Sequence, residues 1–303
     1  MNGLNGIPTE DALRLQYGDL FGNEQIAVNF IIAQGIIKVP TECPQPNCGG
    51  GMTPHSNGGS TGWKNRRCTR GNCRKVINVM KGTFLEGCSV EVRKVLKLAH
   101  LWLSAGSHQL IMLQTGLSSQ AVTNYLKNLR DVVGWHRLSS GDPRIGGPGL
   151  IIQVDETVTV HRKYHRGHPV PEVWVVGGVE LTQERRLFAL SVPDRSEPTL
   201  TGVLCQHILP GTMIHCDGWK GYSKEALQDA GFEKDTVNHS KNFVDPITGV
   251  HTNHVEATWR AIKATIPARG NTAASIDTYI SEFIWKREHA GHLWNALMEA
   301  MEA

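Results

Sequence analysis

Three acidic residues in the C-terminal half of the chain are placed so that a sheet and a helix would bring their carboxylates together: Asp155, Asp217 and Glu256. Asp155 follows the apolar run 150–152, and we expect it to end a buried strand. Asp217 follows the apolar pair 213–214 in the same way. Carboxylates at the ends of buried strands are costly unless something pairs with them, and this edge of an α/β sheet is where ligands bind. Either aspartate alone is explained as the end of its strand, whereas the three acids together favour bound divalent cations.

Mg²⁺ prefers hard oxygen ligands and usually takes only a few carboxylates beside substrate phosphates. Two such ions about 3.5–4 Å apart would activate a water or a 3′-hydroxyl group and stabilise the leaving oxygen of a phosphodiester. The predicted cofactors at this site are therefore two Mg²⁺ ions, with Mn²⁺ as a substitute.

The third acid lies on a predicted amphipathic helix between Gly249 and Pro267. Lys263 follows Glu256 by two turns and shares roughly the same helix face. A lone glutamate on a helix is ordinarily a solvated surface residue. The metal-site hypothesis requires Glu256 to face the sheet edge, close to Asp155 and Asp217.

Four of the seven cysteines form two pairs with four intervening residues each: Cys43, Cys48, Cys68 and Cys73. The Gly-rich stretch between the pairs has no residues for an apolar core, so one structural Zn²⁺ with four thiolate ligands would organise it. Four cysteines leave no open coordination position for catalysis. His55 is a possible substitute ligand, and free or redox-active cysteines are the alternative.

Five cations surround the second cysteine pair, which indicates a phosphate-contacting surface rather than scattered solvated charges: Arg66, Arg67, Arg70, Arg74 and Lys75.

The following segment predicts a helix closed by Gly106, a short helix ended by Gly116, and a Ser-capped helix. The outward residues of the last helix are polar enough for a DNA major groove: Gln120, Thr123, Asn124, Lys127 and Arg130. The pattern is that of a helix-turn-helix, with an ordinary helical bundle as the alternative.

The charge distribution agrees with a nucleic-acid partner. Residues 41–148 carry 14 Lys and Arg against 5 Asp and Glu, whereas residues 149–303 carry 15 against 19. No apolar run approaches the roughly 18 residues that span a membrane, so we expect a soluble, intracellular protein without a membrane partner.

The expected fold class is α/β, in six consecutive segments: an N-terminal helical lead-in (1–40), a zinc ribbon (41–88), a helix-turn-helix-like DNA-binding region (89–140), a linker (141–149), a mixed-sheet catalytic domain (150–270) and C-terminal helices (271–303) that pack against the catalytic sheet. Three meander strands followed by alternating helices and strands predict the mixed sheet.

Several motifs in order resemble the catalytic core of DDE transposases of the Merlin superfamily and related bacterial insertion-sequence transposases: VDET (154–157), RKYHRGH (162–168), WVVGGVE (174–180), HCDGWKGY (215–222), VNHSKNFVD (237–245) and HTNHVEATWRAIK (251–263). The cysteine pairs and the GTFLEG segment (82–87) resemble that family's N-terminal half. The resemblance implies an RNase H-like catalytic domain and cut-and-paste DNA transposition. By position, the family's acidic triad falls on Asp155, Asp217 and Glu256, and a basic residue of the family falls on Lys263.

Other residues extend the expected DNA surface. A basic unit after the first acid would grip phosphates, with a charged hairpin as the alternative: Arg162, Lys163, His165 and Arg166. His239 would orient DNA or a water molecule. Trp219 and Tyr222 are equally suited to stacking on an unpaired base and to packing against the sheet.

The expected partner is double-stranded DNA, both terminal inverted repeats and target. A homodimer or larger assembly would bring two ends together, in the nucleus of a eukaryote or on the bacterial nucleoid in the cytoplasm. A domesticated DNA-binding protein that no longer cleaves and a metal-dependent nuclease without strand transfer are the alternatives.

Overall fold

The computed structural model describes residues 18–56, 63–160, 172–237, 252–267 and 272–302. The chain divides into two compact units. The first contains Met1–His136 together with His289–Ala303, and the second contains Arg137–Glu288. None of the described helices is both long enough and apolar enough to span a membrane.

The first unit begins with two helices, α1 (Gly18–Gly22) and α2 (Glu24–Ala33), and a small antiparallel sheet. The sheet has three strands in sequential order, β1 (Met52–Pro54), β2 (Asn65–Cys68) and β3 (Val76–Asn78). Its buried centre consists of cysteines and Met52 instead of a set of large aliphatic side chains. The stability of this sheet therefore depends on what binds the cysteine sulfur atoms.

The described part of the first unit also contains four further helices: α3 (Val92–Leu103), α4 (His108–Thr115), α5 (Ser119–Ser139, of which the last three residues belong to the second unit) and α10 (Leu293–Glu302). The Glu24 carboxylate accepts hydrogen bonds from the backbone N–H groups of Val92 and Arg93, both at 3.0 Å, and so caps α3. Gly116 ends α4 in the left-handed conformation, with φ of 66°. The helix boundaries predicted at this glycine and at the following serines agree with the structure.

The second unit is built on a five-stranded mixed sheet in the order β10-β9-β5-β6-β7. Its strands are β5 (Ile151–Val160), β6 (Val173–Glu180), β7 (Leu187–Val192), β9 (Met213–Asp217) and β10 (Glu233–Val237). The pairs β5–β6 and β6–β7 are antiparallel, whereas β5–β9 and β9–β10 are parallel. The prediction of a meander followed by alternating helices and strands is confirmed.

Helices cover both faces of this sheet. One face packs against residues of α6 (Glu197–His207) and α7 (Lys224–Asp229), and the other against α8 (Asn253–Thr265) and α9 (Ala273–Glu288). Because side chains alternate along β5, Ile152 and Val154 are buried on the face that α6 and α7 cover. Gln153 and Asp155 therefore belong to the face that α8 covers.

Two predictions about the ends of this unit need correction. Asp155 lies in the middle of β5 and does not end it, because β5 continues to pair with β6 as far as Val160. Helix α9 packs against the sheet as predicted for the C-terminal helices, but α10 belongs to the first unit and packs against α3.

The predicted linker also contains a short strand. Strand β4 (Ile145–Gly146) pairs in parallel with β8 (Ile208–Leu209). Gly146 has φ of +81°, and a Cβ atom there would lie 2.5 Å from Thr212 Oγ1. Its N–H donates to the buried carboxylate of Glu180 at 2.6 Å. A glycine is therefore required where the chain enters the second unit.

Candidate active site and metal centre

Asp155 is held against the helix that covers its face of the sheet. Its Oδ2 accepts a hydrogen bond of 3.0 Å from Trp259 Nε1 on α8. Burial raises the pKa of the Asp155 carboxyl to about 7, and the neighbouring acids Glu156 and Asp217 add to this increase. A bound cation would relieve both causes, so the environment of Asp155 fits a metal ligand.

Asp217 stands beside Asp155 on the next strand. The parallel register pairs Ile152 with Ile214 and Gln153 with His215, so two further residues on each strand reach Asp155 and Asp217. The pairing of β5 with β9 ends at Gln153, which leaves these aspartates where the two strands separate. Asp217 Oδ1 accepts a hydrogen bond of 2.9 Å from the backbone N–H of Trp219.

Helix α8 is attached to the same face of β5 through a buried amide. Gln153 Oε1 accepts hydrogen bonds from the backbone N–H groups of His254 at 2.9 Å and Val255 at 3.3 Å. These donors belong to the first turn of α8, which also carries Glu256. The helix predicted to bring the third acid is therefore seated on the aspartate face.

The Glu256 side chain itself is exposed and accepts a hydrogen bond of 3.1 Å from Thr252 Oγ1. Within the described ranges, the four-cysteine cluster is the only group of three or more His, Cys, Asp or Glu side chains whose ligand atoms lie within 4.8 Å of one another. The structure thus places Asp155 and Asp217 together and Glu256 on the covering helix. That the three carboxylates share metal ions stays a prediction.

Lys263 is exposed near the end of α8. Although the residue is exposed, partial desolvation by the surrounding protein lowers the pKa of its ammonium group, and the Asp155 carboxylate acts in the opposite direction. Lys263 is therefore close enough to Asp155 to interact with it electrostatically.

Glu156 faces away from Asp155, as alternation along a strand predicts. Its Oε2 accepts a hydrogen bond of 2.8 Å from the Tyr222 hydroxyl, and its Oε1 lies 3.7 Å from Arg195 Nη1. Tyr222 is buried, so of its two suggested roles the structure supports packing against the sheet. Arg195 was missed from the sequence because it lies in a loop outside every motif considered.

The four paired cysteines converge as the sequence predicted. Cys43 Sγ lies 3.8 Å from Cys73 Sγ, and Cys48 Sγ lies 3.5 Å from Cys68 Sγ. Four sulfurs bound tetrahedrally to one Zn²⁺ at about 2.3 Å would lie about 3.8 Å apart. The cluster thus has the donor set and the spacing for one such ion.

The pKa of the Cys68 thiol also supports a metal ion at this cluster. The Arg70 backbone N–H lowers the pKa of the Cys68 thiol, but burial and the three other thiols outweigh it and raise the pKa to about 12. A cation among the sulfurs would reverse this effect, because metal ligation requires thiolates.

The cations predicted to contact phosphates lie around this cluster. Arg66 and Arg67 are on β2, whereas Arg70, Arg74 and Lys75 are exposed around the second cysteine pair. Arg70 and Lys75 line a cavity of about 410 Å³ together with Gln45, Asn47 and Asn72.

The polar residues predicted to meet a major groove occupy α5. Arg130 is half-buried, and the other four side chains are exposed: Gln120, Thr123, Asn124 and Lys127. Thr123 Oγ1 lies 3.2 Å from His108 Nε2 on α4, and Lys127 forms an ion pair of 2.5 Å with Asp131. Five other predicted DNA contacts lie outside the described residues: Arg162, Lys163, His165, Arg166 and His239.

We compared the chain with protein families, curated proteins and solved structures to find what it is similar to. Residues 148–288 match the family model described as the ISXO2-like transposase domain. A search of curated proteins found no match.

Solved structures similar to this chain include a Mos1 transposase paired-end complex with left transposon end, at 11% identity over 68% of this chain and 77% of that chain, with a TM-score of 0.30. A pre-cleavage Mos1 transpososome is similar at 12% identity over 69% and 76%, with a TM-score of 0.29. Such low TM-scores do not establish a shared fold. The match of residues 148–288 to the ISXO2-like transposase domain confirms the resemblance of this chain to DDE transposases.

Proposed function

We propose that this protein is an active DNA transposase that cuts and rejoins DNA at a site formed by Asp155, Asp217 and Glu256. One observation carries the proposal. The two aspartates occupy equivalent positions on adjacent parallel strands, beneath a helix that carries the glutamate, inside the segment that matches a transposase family. The strand order, with one antiparallel meander joined to two parallel strands, is the arrangement expected for an RNase H-like domain.

The donor set fits hard divalent cations because it consists of carboxylate oxygens, one of them with a raised pKa. When bound, two Mg²⁺ ions would supply an activated water or 3′-hydroxyl nucleophile and stabilise the leaving oxygen, and Mn²⁺ would substitute. Asp155 and Asp217 would hold the ions from the sheet, and Glu256 would hold them from α8. Trp259 orients the Asp155 carboxylate through its indole N–H. Lys263 contributes positive charge for a phosphate near Asp155.

The first unit would supply DNA recognition. One Zn²⁺ bound by Cys43, Cys48, Cys68 and Cys73 would fix the small sheet and its cations, which contact phosphates. Helices α4 and α5 follow each other across a short Gly-bearing turn, and a helix-turn-helix role would place α5 in the major groove of a terminal inverted repeat. Joining two ends requires a dimer or larger assembly. The protein would act where its DNA is, in a eukaryotic nucleus or on a bacterial nucleoid.

Cleavage and joining of terminal-repeat DNA in Mg²⁺ tests the proposal. Wild-type protein should cleave the repeat end and join it to a target plasmid. Asp155→Asn should abolish cleavage while terminal-repeat binding survives, and Asp229→Asn, an exposed carboxylate on α7, is the matched control. Cleavage without joining would indicate a nuclease, and binding without cleavage by the wild type would indicate a domesticated DNA-binding protein. Unchanged cleavage by Asp155→Asn would refute the site.

A further inference from the structure

Two tryptophans enclose one guanidinium group beside Asp217. The Arg195 Cζ atom lies 3.8 Å from the centre of the Trp174 ring and 4.4 Å from that of the Trp219 ring. Trp174 is on β6, Arg195 lies between β7 and α6, and Trp219 follows β9 by two residues. Three separate segments of the second unit therefore meet in one stack, which the sequence did not indicate.

The Trp219 indole is fixed in this position. Its backbone N–H donates to Asp217 Oδ1 at 2.9 Å, and its Nε1 donates to the backbone carbonyl of Arg195 at 3.4 Å. A Cβ atom on Gly221 would lie 2.9 Å from Trp219 Nε1 and 2.8 Å from Arg195 O, so only glycine leaves room for this contact. The Arg195 guanidinium is itself held near Glu156.

Despite these restraints, Trp219 remains 37% exposed. Arg195 covers one face of the ring and the indole N–H edge is engaged, so the exposed part is directed away from Arg195. An ordered, exposed indole binds a flat aromatic partner at little entropic cost, because its orientation is already set. A cation on one face leaves the other face for stacking.

We propose that Trp219 stacks on one unpaired nucleobase of the DNA strand that is cut at Asp155 and Asp217. The inference rests on the proposed function. Both faces of a base in duplex DNA are covered by its neighbours, so the indole requires a base that has left the helix or lies at a strand end. One residue, Gly218, lies between Asp217 and Trp219, so the Cα atoms of Asp217 and Trp219 are at most about 7 Å apart. Since a DNA strand advances about 3.4 Å per nucleotide, the base lies within about two nucleotides of the scissile phosphate.

Photocrosslinking of the wild-type full chain locates the base directly. Terminal-repeat DNA carries 5-iodo-2′-deoxyuridine at single positions within three nucleotides of the cut, and the crosslinked peptide is sequenced by mass spectrometry. We expect a crosslink at Trp219 from one of these positions and none in the Trp219→Ala variant. Absence of a Trp219 crosslink from every position, on DNA that the wild type cleaves, overturns the inference.

A cleavage experiment separates stacking from a merely structural role. Trp219→Ala should cleave fully paired DNA about 10- to 100-fold more slowly, whereas Trp219→Phe keeps an aromatic face and should remain within about threefold of wild type. An abasic nucleotide at the crosslinked position should restore Trp219→Ala to near wild-type rates, because no base then has to be held outside the helix. Gln228→Ala, which shortens an exposed side chain on α7, is the control and should cleave at the wild-type rate.

The outcomes distinguish this inference from the proposed function. If the wild type cleaves none of these DNAs, the proposed function fails. If the wild type cleaves and the abasic nucleotide does not rescue Trp219→Ala, or if Trp219→Ala cleaves paired DNA at the wild-type rate, base stacking by Trp219 is wrong.

Discussion

The indole N–H of Trp259 donates a hydrogen bond of 3.0 Å to Asp155 Oδ2, and this bond joins the helix that carries Glu256 to the strand that carries the first aspartate. The two residues lie 104 positions apart in the chain. The geometry of the candidate site therefore depends on how α8 is seated, and several expected results follow from this.

Trp259→Phe should remove the hydrogen bond while keeping an aromatic ring in the core. Because this bond lowers the pKa of Asp155, its loss should raise that pKa further, and cleavage should then require higher pH. The measurement is the pH dependence of single-turnover cleavage in Mg²⁺. Trp285→Phe, in the buried face of α9, controls for lost tryptophan packing and should leave the profile where it is in the wild type. An unshifted profile for Trp259→Phe would show that the hydrogen bond does not influence the aspartate.

Gln153→Leu should unseat the first turn of α8. The variant leaves the N–H groups of His254 and Val255 without their acceptor, at a cost of about 1–3 kcal/mol for each group that stays buried. We expect lower stability in urea unfolding and a fall in cleavage rate together. Gln228→Leu, an exposed position on α7, should change neither. Normal cleavage by a destabilised Gln153→Leu protein would show that the attachment of α8 to Gln153 is not needed for cleavage.

Without divalent cations, the raised pKa of Asp155 should make the protein less stable as pH rises. The unfolded carboxyl titrates near 3.9, so between about pH 4 and 7 the folded state retains a proton that the unfolded state has lost. Stability from this group is complete below pH 4 and is lost as pH approaches 7. Asp155→Asn keeps an oxygen for Trp259 and cannot ionise, so at pH 8 it should be more stable than wild type by roughly 1–4 kcal/mol in Mg²⁺-free buffer. The comparison is made by urea unfolding at pH 5 and pH 8. Equal stability of the two proteins at pH 8 would contradict the burial of this charge.

Gly50→Ala should disrupt the cysteine cluster by sterics alone. A Cβ atom at Gly50 would lie 2.7 Å from Cys68 Sγ and 3.4 Å from Cys48 Sγ, so the sulfurs must shift from a tetrahedral arrangement. We expect at least about tenfold weaker zinc retention against a chelator and weaker DNA binding. Gly71→Ala lies in the same region with nothing within 4 Å of its added Cβ, and it should behave as wild type. Metal analysis should give one zinc per wild-type chain, and equal zinc retention by both variants would argue against the ribbon.

The sequence predicted the strands and helices of the second unit well because apolar runs and turn residues mark their ends. It predicted residues 150–160 as a strand but placed Asp155 at the end of that strand, whereas β5 pairs with β6 on both sides of this residue. The cysteine cluster was predictable from spacing alone. The stack around Arg195 was not, because it joins three segments through contacts that leave no periodic signal. Exposure is what a lone glutamate on a helix ordinarily shows, but the distance of Glu256 from the two aspartates could not be predicted, since helix spacing gives a face and not a distance.

The most direct test of the central claim is single-turnover cleavage of terminal-repeat DNA by Glu256→Gln in Mg²⁺, because Glu256 is the acid that the structure leaves exposed. Glu225→Gln, an exposed glutamate in the first turn of α7, is the matched control. If the three carboxylates share the catalytic ions, Glu256→Gln should bind the repeat with wild-type affinity and cleave it at least about 1,000-fold more slowly, whereas Glu225→Gln should cleave normally. Cleavage by Glu256→Gln within a few-fold of the wild-type rate would contradict the account.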